Sequence, residues 1–233
     1  MRIRFLGTGT SHGVPVLGCG CPVCSSADPR DTRYRSSVLV SGDEGERILI
    51  DAGPEFRLQA LAARLSGLDA LLVTHAHADH VHGIDDVRPL TRGRPLPVYA
   101  SGQDVAELRH RFSYAFSAGQ AGGGKPRLEL VDLDEPGGPD PAPRAVRVGS
   151  VAVRPVPLMH GERRVLGYRL GGLAYGIYLS HFLFIKVAEA VGIKLGLPEC
   201  WQWAVGIWLI AAVGSTLLAW TLSRSRLTRW LVA

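Results

Sequence analysis

The segment Thr74-His75-Ala76-His77-Ala78-Asp79-His80 places three imidazoles and a carboxylate within six positions. Neutral imidazoles and carboxylate oxygens suit zinc, and neighbouring carboxylates also admit manganese or iron. The apolar run over residues 68–74 reads as an interior strand that delivers this motif at its C-terminal end. A loop leaving such a strand can turn His75 and His77 toward one ion and Asp79 and His80 toward another. Two ions so held can share an activated hydroxide and neutralise a phosphoryl oxygen.

Three further features carry chemistry. Cys19, Cys21 and Cys24 are packed too closely to brace a fold as disulfides, so they read as metal ligands, one thiolate short of a tetrahedral set, or else as inert thiols. Asp51 follows Ile48-Leu49-Ile50 and precedes Gly53; it is either a turn residue or an acid that holds the metal loop by hydrogen bonding. Gly7, Gly9 and Gly13 permit a tight path through Thr8, Thr10, Ser11 and His12, suited either to close approach of a substrate or to plain turn geometry.

The elements that must position these groups are short. Residues 2–6 alternate polar and apolar side chains, as a half-buried strand does. Strands are predicted over 36–40 and 48–51 as a hairpin, then over 97–100, 128–133, 146–148, 151–158 and 165–170. Helices are predicted over 56–65 and 105–116. Many short strands with interspersed helices indicate an α/β sandwich.

Composition divides the chain. All five Trp lie between Trp201 and Trp230, and the last 58 residues hold only Glu189 and Glu199 as acids. The net charge of +5 arises with 21 Lys and Arg against 19 Asp and Glu in residues 1–175, a balance that gives no case for a nucleic-acid partner. Met1 leads directly into a strand without a secretory signal, so the first part is expected in the cytoplasm.

The motif from His75 to His80 resembles the signature of the metallo-β-lactamase superfamily. The run Phe5-Leu6-Gly7-Thr8-Gly9-Thr10-Ser11-His12-Gly13-Val14-Pro15, followed by Cys19, Cys21 and Cys24, is similar to the subgroup containing the cyclic-phosphate phosphodiesterase of bacterial phosphonate utilisation. The resemblance implies an αββα sandwich. It implies that His75, His77 and His160 hold a first metal and that Asp79 and His80 serve a second and act as catalytic residues. It implies that Asp51 steadies the metal loop, and that Cys19, Cys21 and Cys24 contribute to a separate structural zinc completed by a distant His. Two zinc ions, with manganese as the alternative metal, would hydrolyse a cyclic or small phosphodiester through a metal-bound hydroxide. His82 has no such role in the resemblance.

The resemblance stops near Leu170. No Asp occurs after Asp140, so the acid expected to bridge the metals is missing, and His181 is a poor substitute for a later ligand. The sandwich is therefore expected to be incomplete in its C-terminal half, as a domain over 1–172. Residues 200–223 are 24 positions without a charged residue or His, followed by Arg224, Arg226 and Arg229, which reads as a membrane span. With a second stretch, 173–233 is expected to form a hydrophobic helical hairpin, about 173–195 and 201–223. The run Tyr175-Gly176-Ile177-Tyr178-Leu179-Ser180-His181 and the stretches after it resemble the end of membrane acyltransferases that modify sugars. The expectation is a phosphodiesterase-like hydrolase held at a membrane by its tail, with the N-terminal domain in the cytoplasm. A non-catalytic fusion remnant and an acyltransferase fragment are the alternatives.

Overall fold

The computed structural model describes residues 1–91, 93–117, 124–134 and 143–170. The chain divides into two units, Met1–Tyr168 and Arg169–Ala233, and all but two of the described residues belong to the first. Among them, β1 (Arg2–Gly7), β2 (Ser37–Ser41), β3 (Arg47–Ile50), β4 (Ala70–Leu72), β5 (Leu96–Ala100) and β6 (Leu128–Asp132) form one sheet in chain order. The strands β7 (Val146–Val148), β8 (Val151–His160) and β9 (Arg163–Leu170) form a second.

The first sheet changes character at β3. The β1–β2 and β2–β3 pairs are antiparallel, whereas β3, β4, β5 and β6 run parallel. The crossovers are made by α1 (Phe56–Ala62), α2 (Ala78–Val81), and α3 (Gly102–Arg111) with α4 (Ser113–Phe116). The register Ile50↔Leu72 and Leu72↔Tyr99 brings the carboxyl ends of β3, β4 and β5 level, the edge at which parallel sheets collect their ligands. Leu39, Leu49, Leu71 and Val98 alternate onto one face, where they meet Phe56, Val81 and Leu108 of the helices. Each such side chain contributes about 1.5–3 kcal/mol through burial. Val40, Ile48 and Leu72, on the other face, are equally buried. The second sheet is tied to the end of β4: Leu166 N donates to Thr74 O at 2.8 Å and Tyr168 Oη to Val73 O at 2.6 Å. The described residues thus form a helix layer and two sheets, as in a sandwich of the metallo-β-lactamase type.

Two local features differ from expectation. The helix expected over 105–116 starts at Gly102, because the Ser101 hydroxyl caps it by accepting from Asp104 N at 3.2 Å, and it breaks at Phe112, where φ −107° and ψ 35° leave the helical region. The glycine-rich stretch is used by the fold itself: a Cβ on Gly7 would lie 2.0 Å from Arg35 O.

The membrane expectation is corrected. No helix among the described residues is long and apolar enough to cross a membrane. The longest, α3, has 10 residues, about 15 Å at 1.5 Å per residue against a hydrocarbon core of about 30 Å. The stretches 173–195 and 201–223 lie outside the described residues. The transmembrane hairpin is withdrawn from the fold class. The membrane partner and the membrane-associated location, which depended on it, go with it.

Glu46 joins the two sheets at the end opposite the site. Its carboxylate accepts from Ser150 N at 2.5 Å and Ser150 Oγ at 2.6 Å, and these bonds pull its pKa down to about 2. A depressed folded-state pKa contributes stability that is present above the unfolded value, roughly 4.3, and is lost as pH falls toward 2. Urea denaturation of wild type and Glu46→Gln should therefore differ most above about pH 5 and converge in acid. A gap that does not change with pH would remove Glu46 from this role.

Candidate metal centre

The centre is built where β3, β4 and β5 end. Asp51 leaves β3 with φ 58°, a left-handed conformation uncommon for a residue with a side chain, and is 4% exposed. Its main chain continues the ladder, donating to Leu72 O at 3.0 Å. Its carboxylate accepts from Thr74 N at 2.8 Å and Thr74 Oγ1 at 2.9 Å, and His80 Nδ1 lies 2.7 Å from the same Oδ2. The next residues lock the other side of the loop: Ala52 N donates to His80 O at 2.8 Å. A Cβ at Gly53 would meet Asp79 O at 2.3 Å, so no larger residue allows this approach.

Past Thr74 the chain reaches His77, which adopts φ −66° and ψ 152° ahead of the single turn of α2. His75 and His77 therefore project from a loop, while Asp79 and His80 sit on the helical turn. His160 arrives from the second sheet, at the end of β8. One donor atom from each of His75, His77 and His160 lies within 4.8 Å of the others, and His75 Nε2 is 3.1 Å from His77 Nδ1. Tetrahedral zinc with bonds of about 2.0–2.1 Å holds its nitrogens roughly 3.3–3.4 Å apart, close to what this cluster offers.

Hydrogen bonding sets the tautomers. The Thr74 hydroxyl spends its proton on Asp51, so toward His75 Nδ1, 3.0 Å away, it accepts. That keeps the ring proton on Nδ1 and leaves His75 Nε2 with a lone pair facing the cluster. Burial, then the charges of His80 and His77, push the His75 pKa down to about 3, so the ring is neutral at neutral pH, the form that binds metal. His80 also gives Nδ1–H to Asp51, which turns its Nε2 to Asp79 Oδ2 at 3.1 Å. Burial disfavours its charged form, but the hydrogen bond and charge of Asp51, aided by Asp79, outweigh it and raise the pKa. Two acceptors face each other there unless a proton or a cation lies between them.

The second cluster is separate. One Sγ from each of Cys19, Cys21 and Cys24 lies within 4.8 Å of the others. Val16 N donates to Cys24 Sγ at 3.3 Å and Cys24 N to Cys21 Sγ at 3.5 Å, and the latter bond lowers the Cys21 pKa. Both clusters are consistent with metal binding. His82 is outside them, exposed, with its ring 6.4 Å from that of Phe112. His181 lies outside the described residues.

Sequence reasoning did not find the groups that hold the loop from its other side. Ala76, between the two loop histidines, donates its N–H to Asp104 at 2.9 Å and accepts from Arg111 Nη1 at 2.6 Å. The pattern Ser101-Gly102-Gln103-Asp104 is a capping signature, but its partner 28 residues upstream carries no sequence signal.

Residues 46–182 match the family described as the Beta-lactamase superfamily domain. A crystal structure described as a new diphosphatase from the PhnP family is 41% identical, with a TM-score of 0.63 over 74% of this chain and 62% of that one. Zn(2+)-bound PqqB from Methylobacterium extorquens shares the fold, with a TM-score of 0.54 at 22% identity over 74% of this chain and 63% of that one. An octanoyltransferase of Porphyromonas gingivalis is 43% identical over 175 residues, which is 75% of this chain and 34% of that protein. Coenzyme PQQ synthesis protein B of Rhodopseudomonas palustris is 34% identical over 121 residues, 47% of this chain and 38% of that protein. The chain thus spans little more than a third of the curated relatives it matches. These likenesses give no support to the resemblance of the tail to membrane acyltransferases. With the family match extending over more than half of its length, the chain belongs to the β-lactamase superfamily.

Proposed function

We propose that the chain hydrolyses a small phosphodiester, cyclic or linear, at a zinc centre held by His75, His77 and His160. The observation that carries this reading is the 41% identity, over 74% of the chain, to a protein described as a diphosphatase. It favours phosphorus over an acyl carbon as the atom attacked. The same observation favours one second reading, cleavage of a phosphoanhydride by the same residues. The octanoyltransferase name is not carried over, because the chain spans 34% of that protein.

Zinc follows from the donor set of three imidazoles, and for Cys19, Cys21 and Cys24 from three thiolates that would hold a structural ion. When bound, a divalent ion supplies Lewis acidity, lowering the pKa of a water and offsetting charge on a phosphoryl oxygen. The remaining tasks fall to the chain. His75 presents Nε2 in its neutral form. Asp51 holds Thr74 and His80, and through them the direction of both imidazoles. Asp79 and His80 stand ready as ligands to a second ion, and Asp79 Oδ2 is the oxygen we assign to hold the proton that water gives up.

Two measurements test these assignments. Zinc-loaded protein should release p-nitrophenol from bis(p-nitrophenyl) phosphate or open a 2′,3′-cyclic nucleotide, with His75→Ala and His77→Ala at least about 100-fold slower. Turnover of ADP alone would favour the phosphoanhydride reading, and turnover only of nitrocefin or an acyl thioester would contradict attack at phosphorus. In competition with a chromogenic chelator, Asp51→Ala should bind zinc about 10–100-fold more weakly than wild type. Equal affinity would deny Asp51 its part in the loop.

A further inference from the structure

Asp104 is a carboxylate with 1% exposure, three residues along from the cap of α3. Capping does not require that burial, since it uses the Asp104 backbone N–H. The side chain is committed elsewhere. Its Oδ1 accepts from Ala76 N at 2.9 Å and from Arg163 Nη2 at 2.5 Å, and its Oδ2 accepts from Ser101 Oγ at 2.5 Å. Arg163 also donates to Glu107 Oε2 at 2.6 Å.

The two ends of this network are what give it meaning. Ala76 is the residue between His75 and His77, and its carbonyl is held in turn by Arg111, which also pairs with Glu107. Arg163 opens β9, across the Gly161–Glu162 turn from His160 at the end of β8. A continuous path of hydrogen bonds and short backbone segments therefore joins the loop carrying two histidines of the cluster to the hairpin carrying the third. Buried ion pairs are a poor source of net stability, because desolvation of both charges offsets most of their attraction. What such a pair does supply is a fixed geometry.

We propose that Asp104 and Arg163 are positioning residues that set the separation of His75 and His77 from His160, and thereby the grip of the site on a divalent ion. The inference rests on the metal reading of those three histidines, and goes beyond it by assigning affinity to side chains that would touch no ion. Ligand-orienting partners of this kind typically change metal affinity 10–100-fold.

The test compares wild type, Asp104→Ala, Asp104→Asn, Arg163→Met and Leu108→Ala. Zinc affinity is read by chelator competition, folding by thermal midpoint, and the Ala76 amide by hydrogen exchange before zinc is added. Leu108 lies on the same helix, 1% exposed and packed in the core, so its truncation destabilises α3 without removing any hydrogen-bonding group of the network. Asp104→Ala and Arg163→Met should weaken zinc binding about 10–100-fold, and Asp104→Ala should speed exchange at Ala76. Asp104→Asn, which keeps an acceptor for Ala76, should lose less. Leu108→Ala should lower the midpoint and leave zinc affinity unchanged. If Asp104→Ala does not fold, Asp104→Asn and Arg163→Met carry the comparison. Wild-type protein that binds no zinc would overturn the metal reading and the proposal together. Wild-type zinc binding that is unaffected in the Asp104 and Arg163 variants, or weakened as much by Leu108→Ala, would overturn the proposal alone.

Discussion

Asp51 closes β3 in a left-handed conformation, with its carboxylate sealed among Thr74 and His80. A buried carboxylate needs hydrogen-bond donors in place of water, and the surrounding N–H and O–H groups supply them. In meeting this need the fold also fixes two imidazoles. The proton Thr74 gives to Asp51 makes its oxygen an acceptor for His75 Nδ1, and the Nδ1 proton of His80 goes directly to Asp51. Both rings then turn Nε2 outward. The constraint reaches back to the sheet, because only the level ends of parallel β3 and β4 put Asp51 beside Thr74.

Around that point the loop is held from two sides. Asp51 and Ala52 come from the strand before it, and Asp104 and Arg111 from the helix after β5. The loop residues His75 and Ala76 are buried, while His160 is exposed on its hairpin. A buried group on a held loop and an approachable one on a hairpin suit a site that binds an ion and still admits a substrate.

Much of this was legible in the residues, for reasons that are local. The six-position motif carries the residue types of a metal site, and the apolar run before it reads as an interior strand, as β4 is, with all three residues buried. Strand alternation located β1, β2 and β8. What was not legible depends on pairs far apart in the chain: Ala76 with Asp104 at 28 residues, Asp104 with Arg163 at 59, Tyr168 with Val73 at 95. No periodicity reports such a pair. Nor did spacing tell that Gly7 serves the backbone of Arg35. The inference of a membrane hairpin came from the uncharged run, the arginines after it and the resemblance of the tail, and no described helix has the length or apolarity for it.

The central claim is that His75, His77 and His160 converge on one divalent ion. Crystals of the full chain grown with zinc, measured on both sides of the zinc absorption edge, would test it most directly. The account predicts an anomalous peak about 2.0–2.1 Å from one ring nitrogen of each of the three histidines. A zinc-loaded crystal with no peak among them would contradict it.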